Sequence, residues 1–219
     1  MEGGLPSSAA SSDPLEPEIN AAVEPGREVL ELVGQISAET VGPLVARLEQ
    51  AKPAEKLLVY IRANGGGCTA SMFELIEGLA ASKADVELAI NRYAMSAAAT
   101  LWLWFILDPI EGEAGVGRVV SVGPLKPTVL LIHRPRLALA GDGTYYCFLD
   151  GVADEGMRQE LSAQLDVFDD IFDRLMERLG INDVHAALIT EQRGTFKHHL
   201  HYAKDAYYGN CDYVLTLEG

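Results

Sequence analysis

Three short segments carry residue types suited to chemistry. Gly65-Gly66-Gly67 follows the apolar run Leu57–Arg62, and successive glycines open backbone conformations closed to other residues while leaving N–H groups unobstructed. Such a turn presents donors to an anion, either a phosphate or a developing oxyanion. Ser96 stands between Arg92-Tyr93-Ala94-Met95 and Ala97-Ala98-Ala99, where a strand pattern gives way to a helix pattern. A hydroxyl there is either a helix N-cap or a group aimed at the positive end of the helix dipole. His133 closes the apolar run Thr128–Ile132 just before Arg134-Pro135, a place that suits a structural histidine as well as a catalytic one.

Other motifs have weaker readings. Gly65 to Ala70 fits GxGxxA, a dinucleotide fingerprint, but the following strand closes on Asn91 instead of an acid, and no Walker lysine follows the glycines. Cys68 reads as a small core residue, and Trp102, Trp104 and Phe105 as core or subunit contact. His198, His199 and His201 have no Cys or acid spaced to complete a metal site, which favours a solvated loop or helix start.

These segments need a scaffold, and the hydrophobic pattern supplies one. Residues 28–36 read as a strand ended by Gly34. Ser37 then caps a helix carrying Val41, Leu44, Val45 and Leu48. Residues 57–62 form a strand and lead through the glycines into a helix with Met72, Ile76 and Leu79. Asp85–Asn91 alternates as a strand, residues 92–95 read as a sharp break, and 97–107 form a helix apolar all round. Its 11 residues are too few for a bilayer. Thr128–His133 is a further strand. This alternation predicts an α/β fold with mainly parallel pairing. A long helix over 150–179 follows, with Leu161, Leu165, Phe168, Phe172, Leu175 and Leu179 in a narrow seam and Gly180 at its C-terminal cap. That seam fits another subunit or its own domain equally well.

Composition bounds the rest. The chain has 219 residues, 17 Lys+Arg, 32 Asp+Glu and a net charge of −15, which disfavours a nucleic-acid backbone and an anionic membrane surface. The acids are uneven: residues 1–28 hold six against one base, and residues 150–179 hold nine against three. Residues 1–26 are rich in Ser, Ala, Pro, Gly and acids and read as a disordered acidic tail before one domain over 27–219. Cys68, Cys147 and Cys211 suggest neither a disulfide framework nor a zinc site. Without a signal-peptide pattern, a soluble intracellular chain is expected.

The order and surroundings of these segments carry a family resemblance. Gly65-Gly66 with Thr69-Ala70, Tyr93-Ala94-Met95-Ser96, Ile132-His133-Arg134-Pro135 and the ending Tyr208-Gly209…Asp212 together resemble the proteolytic subunit of the Clp protease. The likeness runs from about Arg27 to Gly219, within the broader ClpP/crotonase-like fold. It implies a repeated ββα core with a protruding handle helix at 150–179. It also implies Ser96 as nucleophile, His133 as general base, and the N–H groups of Gly66 and Ala97 as oxyanion hole. The family's acid position falls on Gly194, leaving Glu191 and Asp183 as the nearest upstream acids, with Glu191 taken as third member. The Ser96–His133 interval is longer than usual for the family, and Gly141-Asp142-Gly143 adds a loop.

The resemblance thus implies a cytoplasmic serine peptidase subunit needing no cofactor or metal. It would assemble into a homo-oligomeric ring or double ring and receive unfolded chains from an ATP-dependent unfoldase. Gly194 motivates an alternative, a catalytically degenerate structural subunit partnering an active paralogue. A crotonase-like acyl-thioester-binding protein is a third reading.

Overall fold

The computed structural model describes residues 26–112, 117–124, 126–139, 145–147, 152–181, 186–190 and 198–218, with the backbone alone for 137–139, 145–147, 186–190 and 198–202. The expected tail over 1–26 lies outside the described residues apart from Gly26.

The apolar runs form the strands of one mixed sheet. These are β1 (Glu28–Leu32), β2 (Lys56–Asn64), β3 (Asp85–Met95), β4 (Val119–Ser121), β5 (Thr128–Ile132) and, at the C-terminus, β10 (Tyr213–Leu217). Their order is β1-β2-β3-β5-β10, with β4 also on β3; every pairing is parallel except β10 on β5. Leu57 to Ile61 of β2 are buried without interruption, as a central parallel strand covered on both faces requires. Two antiparallel pairs stand apart from this sheet: β6 (Leu137–Leu139) with β7 (Tyr145–Cys147), and β8 (Ala186–Thr190) with β9 (His198–Tyr202).

The helices are α1 (Ala38–Glu49), α2 (Thr69–Ala81), α3 (Ala97–Leu107), α4 (Glu155–Leu179) and α5 (Ala203–Tyr208). Ser37 caps α1 as expected. Its Oγ accepts the Thr40 N–H at 3.4 Å, while Thr40 Oγ1 accepts the Ser37 N–H at 3.0 Å. The apolar α3 is the central helix of the core, with Ala97 to Leu103 and Phe105 buried. Among the described residues no helix is long and apolar enough to cross a membrane.

Three boundaries and one buried face differ from expectation. β1 stops at Leu32, because Gly34 (φ +81) turns the chain; Ile36 rejoins through a bridge to Gly67. The expected break at 92–95 is instead the end of β3. Arg92 (φ +67) shifts the register against β2, and the strand leaves β4 to continue beside β5. The long helix starts at Glu155, where Asp154 Oδ1 caps the Met157 N–H at 2.8 Å, and ends at Gly180 (φ +64) as read. Finally, Leu179 is 42% exposed, whereas Ile171 and Met176 join Leu161, Leu165, Phe168, Phe172 and Leu175 in the buried face.

Of that stripe, Phe168, Ile171, Phe172, Leu175 and Met176 pack on the chain's own core, and each buried side chain contributes about 1.5–3 kcal/mol. Arg174 reinforces the contact. It binds both Asp108 oxygens, at 2.6 and 2.7 Å, at the C-terminal end of α3.

Candidate active site

Ser96 ends β3 and begins α3 with φ +52 and ψ −126, a region that side-chain-bearing residues rarely occupy and that costs about 1–3 kcal/mol. Its side chain makes no capping hydrogen bond, so an ordinary N-cap does not explain it. The strain is held by neighbours. The Ser96 N–H donates to Leu131 O of β5 at 2.7 Å, beside the parallel pair Met95 and Leu131. The hydroxyl therefore sits at the N-terminus of α3, where the first N–H groups, that of Ala97 included, have no acceptor within the helix. His133 leaves β5 one residue past Ile132, so both groups project from the carboxyl ends of adjacent parallel strands.

The glycine turn lies directly against this elbow. Gly66 (φ +87) has no room for a side chain: a Cβ there would meet Met95 O at 2.6 Å, Ser96 Cβ at 2.7 Å and Ala97 N at 3.1 Å. Gly67 (φ +149) is equally confined, its Cβ position lying 2.2 Å from Ile36 O. Gly66 O accepts the Ile36 N–H and Ile36 O accepts the Cys68 N–H, both at 2.8 Å, which fixes the turn in place. One expectation needs correction. The Gly66 N–H, read as an oxyanion donor, is already engaged by Asn64 Oδ1 at 2.8 Å. Asn64 is fully buried and its Nδ2 donates to Gly34 O at 2.7 Å. The Gly66 donor becomes free for an anion only when the Asn64 amide oxygen releases it.

His133 is buried, and its Nδ1 lies 2.7 Å from Arg134 O. A carbonyl can only accept, so Nδ1 carries the proton and Nε2 keeps its lone pair, the tautomer a general base needs. Arg134 is itself held: its guanidinium binds Asp169 of α4 at 3.0 and 2.5 Å and lies over the Tyr208 ring. Burial, with the Arg136 charge, pushes the His133 pKa below its ordinary value, while the Arg134 carbonyl and the Asp212 carboxylate pull the other way. The imidazole is thus neutral at neutral pH.

Glu191, the expected third member, lies outside the described residues, as do Asp183, Gly194 and the 141–143 loop. The carboxylate acting on the ring within them is Asp212, which the sequence marked only as part of an ending motif.

Ser96, His133, Gly65 and Gly67 share a cavity of about 640 Å³, walled on its far side by Met157, Glu160, Leu161, Gln164 and Phe168 of α4. Thr69 Oγ1 and Gln164 Oε1, 2.8 Å apart, join α2 to α4 at its edge. Cys68 also lines it, which overturns its reading as a core residue: it is exposed, because α2 begins at the cavity mouth. The Ser71 backbone N–H pulls its thiol below the usual thiol range. His198, His199 and His201 belong to β9, with side chains outside the described residues. Among the described residues no group of three or more His, Cys, Asp or Glu forms a metal site.

Comparison with protein-family models and with curated proteins gives no match to this chain.

Proposed function

We propose that the chain is a serine peptidase subunit of the ClpP type, with a ClpP/crotonase-like core and the α4 helix as its handle. The observation that carries this reading is the Ser96 conformation. A non-glycine residue strained at a strand-to-helix elbow, with its hydroxyl released from capping, fits a nucleophile held out for attack. The His133 tautomer and the shared cavity support it.

In this mechanism Ser96 Oγ attacks the peptide carbonyl carbon as its proton passes to His133 Nε2. The Ala97 N–H, and that of Gly66 once Asn64 lets go, receive the developing oxyanion; each such donor is worth about 3 kcal/mol. The C–N bond then breaks, and His133 returns the proton to the leaving amine. Water activated by the same imidazole cleaves the acyl-enzyme and restores Ser96. Substrate would be unfolded peptide admitted to a cytoplasmic ring or double ring built through α4, with an ATP-driven unfoldase as supplier.

A second reading, a degenerate structural subunit lending its interface to an active paralogue, draws on the Gly66 N–H already occupied by Asn64. Hydrolysis of fluorogenic peptides by the pure protein separates the two. Turnover lost in Ser96→Ala supports the peptidase. A folded wild type that is silent alone and needed by an active partner supports the structural subunit and overturns the first reading.

A further inference from the structure

We infer that Asp212 is the carboxylate whose charge supports the His133 imidazolium; this rests on the Ser96–His133 reading above. The antiparallel ladder ends at Tyr213 of β10 facing Ile132 of β5, and the same register carried one residue further sets Asp212 opposite His133. Residues directly opposite in such a pair bring their Cβ atoms to about 5 Å. Asp212 Oδ1 is buried, accepts no hydrogen bond, and has Arg136 Nη1 at 3.5 Å. A buried carboxylate oxygen in that state costs free energy unless something offsets it. The Arg136 ion pair offsets part of that cost, and a positive charge forming on the neighbouring imidazole adds to that offset during catalysis.

The acid of a Ser-His-Asp triad does two jobs: it fixes the imidazole tautomer, and it stabilises the imidazolium. Here the jobs are divided. Arg134 O, steadied by the Arg134–Asp169 pair, accepts a hydrogen bond from the Nδ1–H and fixes the tautomer. The Arg134 carbonyl also favours the imidazolium, but burial and Arg136 both oppose it. Asp212 supplies the compensating charge from β10. Among the described residues, the remaining charged lining of the cavity is Glu160 on α4.

The test is the NMR titration of His133 in the unreactive Ser96→Ala protein. Asp212→Asn is expected to lower the His133 midpoint by about one unit or more, and Arg136→Gln to raise it. Asp212→Glu retains most of the wild-type value, and Glu191→Gln leaves it in place. In the Ser96 protein, fluorophosphonate labelling by Asp212→Asn falls about tenfold for each unit lost.

An unmoved midpoint in Asp212→Asn, or one that moves with Glu191→Gln instead, overturns the inference. If Asp212→Asn fails to fold, Asp212→Ser is titrated in its place, and an unmoved midpoint there overturns the inference equally. The titration also separates the two claims. Absent Ser96 labelling in a folded wild type removes the hydrolase reading, whereas Asp212–His133 coupling is read without any turnover.

Discussion

Replacing Gly66 by alanine should damage stability and reactivity together. At φ +87 an L side chain costs about 1–2 kcal/mol. The new methyl would also meet Met95 O at 2.6 Å and Ser96 Cβ at 2.7 Å, atoms fixed by the backbone; such overpacking costs about 1–3 kcal/mol. Together these give about 3 kcal/mol, or a Tm drop of about 6–12 °C for a chain of this size. Relief comes only by pushing the Ser96 elbow, and a displacement of about 1 Å at a nucleophile costs about 100-fold in rate. Gly65→Ala is the control, because nothing lies within 4 Å of its Cβ position. The assay pairs thermal melts with fluorophosphonate labelling rates for both variants. Gly66→Ala melting and labelling like Gly65→Ala would refute the claim that the turn braces Ser96.

Asn64→Ala should cost about 3 kcal/mol in urea melts, since Gly34 O and the Gly66 N–H both lose a buried partner, while labelling per folded molecule rises as the Gly66 donor is freed. Unchanged stability contradicts that lacing. Cys68, exposed with a lowered thiol pKa, should react with iodoacetamide faster than Cys211 at neutral pH, and its alkylation should block Ser96 labelling within the shared cavity. Equal rates count against it. His133 titrates below 6.5 when folded, so the unfolded chain binds the proton first as pH falls. Its contribution to stability is therefore full above about pH 6.5 and declines as pH drops through the folded midpoint, and His133→Gln should flatten that decline in urea midpoints measured from about pH 7.5 to pH 5.

The alternation of elements was legible because parallel strands and their helices are written locally, in runs such as Leu57–Ile61 and in the Ser37 cap. Ser96, His133 and the glycine turn were legible as positions, each at the end of an apolar run. What pairing decides was not. Residues 92–95 read as a break because alternation lapses there, yet Arg92 only shifts the register and β3 goes on to meet β5. Cys68 looked apolar because nothing local says that α2 starts at a cavity mouth. Asp212 comes beside His133 only through an antiparallel pairing of the chain's last strand, some eighty residues away in sequence. Asn64 carries no signal in the sequence; its role comes from Gly34 and Gly66 closing around it.

The most direct test of the central claim is to treat the pure protein with a fluorophosphonate and locate the adduct by peptide mass spectrometry. The account predicts a single adduct on Ser96, absent in Ser96→Ala and strongly slowed in His133→Gln. A folded wild type that takes no label, or a label that persists in Ser96→Ala, contradicts it.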